Sequence, residues 1–274
     1  MLTLLKLLKD GRFHSGQALG AALGVSRSAV WKQLQLLEAE LGLSIHKVRG
    51  RGYQLAAPLT LLDPVAIVEQ APSCDWPILV FDSIDSTNAE ALRAIERGQA
   101  APFLILAERQ TSGRGRRGRK WASPFAENIY YSLVLRIDGG MRQLEGLSLV
   151  VGLAVMQTLR AMGIATAGLK WPNDVLVGQK KIAGILLELV GDPADVCHVV
   201  LGVGVNVNMQ MTDEVDQQWT SMRLESGRAF DRNHLVAQLG QVLQDYLRRH
   251  QMGGFPAIQA EWEEHHLWQG RAVS

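Results

Sequence analysis

The stretch Gly113–Trp121, GRGRRGRKW, decides the fold class of this 274-residue chain. Read literally it contains G-x-G-x-x-G, with Gly113, Gly115 and Gly118 in the three places. It follows the strand-like PFLILAE (102–108), and Asp138 stands about twenty residues downstream, the outline of a dinucleotide fingerprint. Two features reject that outline. The variable positions are filled with cations, five of them in the seven residues Arg114–Lys120. The segment that follows, NIYYSLVLRI (128–137), is rich in aromatic and β-branched residues and reads as a strand, where a dinucleotide fold needs a helix. A P-loop fails as well, because Gly118 is followed by Arg119 and Lys120 rather than by lysine and a hydroxyl residue. A glycine-rich loop of like charges resists ordering by itself and is expected to close on an anion.

Outward from the loop, short β-like runs alternate with helices. PILVFD (77–82) and PFLILAE are strands, with a helix from Ser86 to about Arg97 between them, and Thr87 and Glu90 stand in capping-box spacing. A long apolar helix is expected over 144–163. Three strand candidates come next: GLKWPNDVLVG (168–178), KKIAGILLELV (180–190) and HVVLGVGVNVN (198–208). Strands joined by short turns, with a few helices segregated from them, make an α+β layer fold around a mixed sheet. Glycines inside GVGVNVN predict close approach of a ligand or another backbone.

The first 58 residues are a different object. GQALGAALGVSRSAVWKQLQLLEAELG (16–42) reads as helix, tight turn, helix. Ala18, Leu19 and Ala22 are expected inward, Gly24 in the turn, Val25 at the junction and Ser26 as N-cap. Val30, Leu34, Leu37 and Leu41 recur with helical spacing and make one buried face. Ser26, Arg27, Ser28, Lys32 and Gln35 are left for the other side, the short polar and cationic groups that a helix in a major groove presents. LSIHKVRGRGYQL (43–55) suits a hairpin with Arg49 and Arg51 spaced by glycines at its tip, a wing whose backbone approaches phosphate closely. A helical dimerisation module with a solvated basic face is the alternative. AAPLTLLDP (56–64) marks a boundary.

Composition agrees with two anionic partners. Residues 1–58 hold eight Lys/Arg and three Asp/Glu, a net +5, so the remainder of the +1 chain carries −4. Five of its cations sit in the one loop. Two separate concentrations of positive charge in an otherwise acidic chain suggest two anionic ligands. The two cysteines, Cys74 and Cys197, form no metal-ligand spacing, which fits a reducing cytoplasm. MLTLLKLLKDG reads as a helix and not a signal peptide, and no apolar run reaches the length of a membrane span.

No Ser-His-Asp set and no metal cluster is evident, and the seven histidines are scattered. The core offers cations (Arg114, Arg116, Arg117, Arg119, Lys120, Lys170, Lys181) and amides (Asn88, Gln110, Asn173, Asn206) instead. That inventory suits catalysis by positioning and charge neutralisation around phosphates.

Taken together, FHSGQALGAALGVSRSAVWK (13–32), IDSTN (84–88), GRGRRGRKW, LKWPNDV (169–175), KKIAGILLEL (180–189) and GVGVNVN (202–208) resemble the bacterial bifunctional biotin–protein ligase and biotin operon repressor family. The match runs in order over nearly the whole chain. The resemblance implies a winged helix-turn-helix at 1–58, a catalytic domain at 65–268 and the first strand of a truncated C-terminal β-barrel at 269–274. It implies adenylation of biotin by MgATP to biotinoyl-5′-AMP, then transfer to a lysine of biotin carboxyl carrier protein. Arg116, Lys181 and Lys170 match the family's catalytic positions, Arg116 and Lys181 belonging also to the biotin site, at the biotin carboxylate and adenylate phosphate. Ser86, Thr87, Asn88, Gln110, Arg114 and Gly115 match the biotin contacts, and Gly184, Leu186 and Gly204 either line the pocket or simply pack the core. Arg119, Trp121, Lys170, Asn173 and Asn206 match the ATP site, with magnesium carried on the nucleotide beside Asn173 and Asn206. Without the family, Trp121 also reads as a core tryptophan, and Asp174 is left out because an aspartate in such a turn is as often structural. The resemblance further implies a homodimer on operator DNA with biotinoyl-AMP as corepressor. The competing readings are a sensor that does not catalyse, and a lipoate or octanoate ligase on the same scaffold.

Overall fold

The computed structural model describes residues 2–56, 59–138, 140, 143–192, 196–212 and 215–270. Most of the strand expected at 269–274 falls on residues 271–274, outside the described residues, as do positions 57 and 58 of the boundary segment. The chain divides into two compact units, one of residues 1–61 with 124–126, the other of 62–123 with 127–274.

The first unit holds α1 (Leu2–Leu8), α2 (Gly16–Leu23), α3 (Arg27–Leu41) and an antiparallel hairpin of β1 (Ile45–Val48) and β2 (Gly52–Leu55). Ser15 caps α2, its Oγ accepting from the Ala18 N–H at 3.0 Å, and Gly24 ends it at φ +66°. Ser26 caps α3 as expected, its Oγ accepting from the Ala29 N–H at 3.2 Å. Val30, Leu34 and Leu37 are buried with Leu4, Leu5, Leu8 and Leu19 in one core, and Leu41 packs at its margin. The inward face of α2 differs from the expectation. Ala18 and Ala22 are exposed, while Gly16, Leu19 and Gly20 are buried. A Cβ on Gly20 would stand 2.7 Å from the Val25 carbonyl oxygen. Backbone contact, not alanine packing, therefore sets which side of α2 turns in.

The second unit is built on a seven-stranded sheet in the order β3-β4-β5-β9-β8-β7-β6. Its strands are β3 (Ile78–Phe81), β4 (Phe103–Ala107), β5 (Ile129–Ile137), β6 (Ala167–Lys170), β7 (Asp174–Val177), β8 (Lys180–Gly191) and β9 (Cys197–Val205). Among these strands only β3 and β4 pair in parallel, so the sheet of the described residues is mixed as expected. GLKWPNDVLVG is not one strand. It is the hairpin of β6 and β7, which reverses at Trp171–Asn173 because Pro172 has no N–H to give a ladder.

The helices of this unit are α4 (Pro64–Gln70), α5 (Thr87–Glu96), α6 (Leu147–Ala161), α7 (Met222–Ser226), α8 (Arg232–Gly253) and α9 (Pro256–His265). They are not segregated to one side. On one face of the sheet Leu104, Leu106, Leu133, Leu201 and Val203 share a core with residues of α6 and α8. On the other, Phe103, Ile105, Val134 and Val200 pack with Ala91 and Ala94 of α5. The period-2 alternation of strand side chains feeds both layers. The cap of α5 also differs from the capping-box spacing. Ser86 caps it, its Oγ facing the Ala89 N–H, and Glu90 instead receives Arg93 and Arg97.

Arg232 and Glu108 form an ion pair at 2.6 Å with side chains only 1% and 2% exposed. Glu108 also accepts from the Leu62 N–H, and Arg232 donates to the Asn128 carbonyl at 3.2 Å. Glu108→Ala removes the carboxylate and leaves a guanidinium in the core. The expected cost is about 3–5 kcal/mol, read as a lower urea midpoint for this unit; an unchanged midpoint would contradict it. Among the described residues no helix is long and apolar enough to cross a membrane. Both cysteines are free thiols.

Candidate functional site

The site lies on the α5 face of the sheet and begins as a column of missing side chains. Across the ladder, Gly204 of β9 pairs with Gly184 of β8 and Tyr130 of β5, and Gly202 pairs with Leu186 and Ser132. Three glycines at neighbouring registers leave a trough in a sheet that elsewhere carries branched chains. The close approach read from GVGVNVN is made by a side chain at Gly204, and by a side chain together with the Leu186 backbone at Gly202. A Cβ at Gly202 would meet Asn88 Oδ1 at 2.4 Å, and one at Gly204 would meet the Trp121 ring at 2.5 Å.

Over the trough sits a pocket of about 50 Å³. Ser86, Thr87 and Asn88 reach it from the first turn of α5, Gln110 from the segment after β4, and Arg114, Gly115 and Arg116 from the cationic loop. Lys181, Gly184, Leu186 and Gly204 complete it from the sheet. All eleven residues expected at the biotin site therefore meet in one place. A hydrogen-bonded chain holds their polar groups. Gln110 Oε1 accepts from the Thr87 N–H (2.8 Å) and hydroxyl (3.1 Å), and its Nε2 donates to Ser123 Oγ at 3.0 Å. Ser132 Oγ lies 2.6 Å from Asn88 Oδ1 and 2.8 Å from Thr87 Oγ1. Asn88 spends both amide protons, on Glu188 (2.8 Å) and the Leu186 carbonyl (3.3 Å). It keeps one oxygen lone pair, so it positions its neighbours more than it offers donors. At the helix start, paired guanidinium hydrogen bonds from Arg93 hold Asp85 well below the usual carboxylate range, at about 2.

A larger cleft of about 560 Å³ adjoins the pocket. Arg119, Trp121, Lys170, Asn173 and Asn206, the five expected at the ATP site, all border it, with Asp174, Asp216 and Trp219. The cationic loop is a small hairpin between the two spaces. Trp121 N–H donates to the Gly113 carbonyl at 2.9 Å and Gly115 N–H to that of Arg119 at 2.8 Å. Arg117 takes the left-handed conformation (φ 57°), which costs a non-glycine residue about 1 kcal/mol.

Charge is distributed unevenly across the site. Lys181 Nζ is 2.7 Å from Asp174 Oδ1, and Arg114 is 2.9 Å from Glu188. Arg116 donates to an amide, Asn173 Oδ1, at 3.0 Å. Among the described residues no carboxylate lies within ion-pair distance of Arg116, Arg117, Arg119, Lys120 or Lys170. Lys170 Nζ rests instead over the Trp268 ring at 4.9 Å. Five cations without counter-ions beside a cleft attract an anion. Trp121 walls off pocket from cleft, its ring against Gly204 and Gly184, Lys181 Nζ 5.4 Å above it and its Nε1 buried without a partner among the described residues. Gly115, Arg116, Trp121, Asn173 and Lys181 border both spaces.

A family model described as the biotin/lipoate A/B protein ligase family matches residues 80–206, and an HTH domain model matches 1–54. The bifunctional ligase/repressor BirA of Salmonella typhimurium is 40% identical over 265 residues, 96% of this chain and 81% of that protein. The chain belongs to the family of bifunctional biotin ligase/repressors. BirA of Escherichia coli is 39% identical over the same shares. The biotin protein ligase of Aquifex aeolicus, solved with biotin and ATP, aligns with a TM-score of 0.61 at 29% identity, over 70% of this chain and 79% of that one. As a biotin ligase/repressor, the chain pairs a biotin ligase unit with a helix-turn-helix unit.

Sequence reasoning passed over Ser132 and Glu188, read Gly202 only as a point of close approach, and weighed Asp174 but left it out. Glu188 accepts from both Asn88 and Arg114, tying the pocket floor to the base of the cationic loop. A lone glutamate in KKIAGILLELV reads as strand polarity, and only the register opposite Val200, two residues beyond the Leu186–Gly202 pair, brings it under α5. Glu188→Ala is expected to raise the KM for biotin about tenfold, the loss of one charge-assisted bond, with kcat within about threefold. Equal losses in both would place Glu188 in the reacting centre and overturn that role.

Proposed function

We propose that the pocket takes biotin, the cleft takes MgATP, and the five residues bordering both join carboxylate to α-phosphate. That shared border carries the reading. A carboxylate and a phosphate repel, by about 4 kcal/mol for unit charges 4 Å apart near a protein surface. Arg116 and Lys181 stand where the two would meet. A biotin carboxylate oxygen attacks the α-phosphorus, the bond to pyrophosphate breaks, and pyrophosphate leaves with the electron pair. A lysine nitrogen of the carrier protein then attacks the acyl carbon of biotinoyl-AMP, AMP departs, and the amine loses a proton.

Ser86, Thr87 and Gln110 are already ordered to pair with a ureido ring. An alkyl chain in the ring's place would leave the Ser86 hydroxyl proton and the second Gln110 amide proton unmet at about 1–3 kcal/mol each, which disfavours lipoate or octanoate. Arg119 and Lys170 receive the outer phosphates, and the Trp121 ring is the adenine-facing surface. Magnesium prefers oxygen ligands, typically one or two carboxylates plus phosphate. Asp174, Asp216 and the side-chain oxygens of Asn173 and Asn206 border the cleft and fit that set. When bound, the ion would screen the triphosphate charge.

In the first unit Arg27, Ser28 and Lys32 are exposed on α3, with Arg49 and Arg51 at the hairpin tip. Ser26 serves as the cap and holds Ser28 Oγ at 2.9 Å. These groups are the proposed contacts to operator DNA, made by a homodimer with biotinoyl-AMP as corepressor in the cytoplasm. The test incubates the purified chain with biotin, MgATP and a biotin carboxyl carrier domain, with octanoate in parallel. Mass spectrometry should find biotinoyl-AMP and a carrier heavier by biotin less water. An octanoylated carrier alone, or no adenylate, would refute the ligase chemistry.

A further inference from the structure

We infer that Trp31 is a sequence-reading residue that contacts thymine methyl groups in the major groove, an inference that rests on the DNA-binding reading above. Trp31 is the fifth residue of α3 but has no place in its core. The buried face is Val30, Leu34 and Leu37, and Trp31 is 43% exposed beside it. Its neighbours on the helix surface, three and four residues away, are Arg27, Ser28 and Gln35, and Lys32 follows it; all four are exposed. An indole on that face leaves apolar area in water amid polar and cationic groups, so a partner that covers it gains what folding did not.

The charge on the same unit selects the partner. Residues 1–58 carry +5, and Arg49 and Arg51 stand exposed at the hairpin tip. A polyanion is drawn to this surface, and a second basic copy is not. Of the base edges in a major groove, only thymine offers an apolar group, its 5-methyl. A flat indole flanked by Ser28 and Gln35, which hydrogen-bond to base edges, suits that methyl. Arg27 and Lys32 supply the phosphate contacts that position the helix.

The experiment selects duplexes from a random pool with the full chain in the presence of biotin and MgATP, then measures affinity by fluorescence anisotropy. Each thymine of the selected site is replaced in turn by deoxyuridine, which lacks only the methyl. At one or more positions per half-site the parent should lose about fivefold to tenfold, within the range of a direct base contact. Trp31→Ala should bind the thymine duplex about tenfold more weakly and show no sensitivity to deoxyuridine, and Trp31→Phe should restore part of it. Lys32→Ala should weaken both duplexes equally. Circular dichroism confirms that the variants fold. If deoxyuridine has no effect on the parent, or Trp31→Ala binds within twofold of it, the inference is overturned while the repressor reading stands. If Trp31→Ala changes only the oligomeric state, the indole serves a protein contact and the inference is likewise overturned. If no sequence is enriched, the repressor reading itself fails and takes the inference with it.

Discussion

Arg116→Gly is expected to release biotinoyl-AMP into solution instead of delivering it to the carrier lysine. Arg116 stands at the turn of the cationic hairpin, borders both pocket and cleft, and donates to Asn173 Oδ1 at 3.0 Å. With no carboxylate to neutralise it among the described residues, its charge is available to an anion arriving there. A charge-assisted hydrogen bond is worth about 1.5–3 kcal/mol, so the adenylate should dissociate about 10- to 100-fold faster. The backbone bonds Gly113–Trp121 and Gly115–Arg119 do not involve this side chain, so the hairpin persists. The mixed anhydride therefore still forms, but nothing holds it away from water. Free biotinoyl-AMP per ATP consumed is the measurement, and indiscriminate labelling of bystander lysines is its corollary. Arg116→Lys keeps the charge but loses the planar fork, and should fall between. Should the glycine variant release no more adenylate than the parent, the retaining role is wrong, and Arg116 serves only to bring the two anions together.

Much of this site was legible because its chemistry is written in residue type. Arginines have few reasons to crowd a glycine loop, and the aromatic β-branched run after it excluded the dinucleotide fold, as β5 bears out. Patterns of period 2 and 3.6 located the strands and helices. What was not legible depends on distance between elements. Alanine reads as inward on α2, but only the neighbouring Val25 carbonyl reveals that Gly20 must face it, and only the Tyr53 and Arg27 side chains that Gly16 turns to them. Ser86 and Thr87 are adjacent hydroxyls, and Ser86 takes the cap because Thr87 turns its own to Gln110. The partnership of Asp174 with Lys181 follows from the pairing of β7 with β8, and a single-strand reading of GLKWPNDVLVG conceals that Asp174 opens a strand of its own. Glu188 needs the register of two strands and the position of α5 together. The helices α7 to α9 drew no reading from the sequence, although Leu235, Leu239 and Leu243 recur at four-residue intervals on the buried face of α8.

The two trough glycines of β9 should differ in what one added methyl costs the fold, although both lose affinity for biotin. At Gly202 a Cβ would stand 2.4 Å from Asn88 Oδ1 and 2.8 Å from the Leu186 carbonyl oxygen. Neither neighbour can yield cheaply. Leu186 is backbone in the middle of a ladder, and Asn88 is held by Ser132, Glu188 and that same carbonyl. Gly202→Ala must therefore prise α5 from the sheet or break the Asn88 network. Overpacking costs about 1–3 kcal/mol, and buried polar groups left unmet add about 1–3 kcal/mol. A loss of about 3–4 kcal/mol is expected in the denaturant midpoint of the ligase unit, with biotin binding lost alongside. At Gly204 the nearest atoms belong to the Trp121 ring, 2.5 Å from a Cβ, and that ring sits at the end of a hairpin exposed along most of its length. Gly204→Ala should push the indole aside at little cost to stability, while weakening biotin about tenfold or more by narrowing the trough. Denaturant melts and calorimetric biotin titrations on the two variants separate these effects. A Gly204→Ala protein that melts earlier than Gly202→Ala would mean that Trp121, and not Asn88, is the side chain that holds this face of the sheet together.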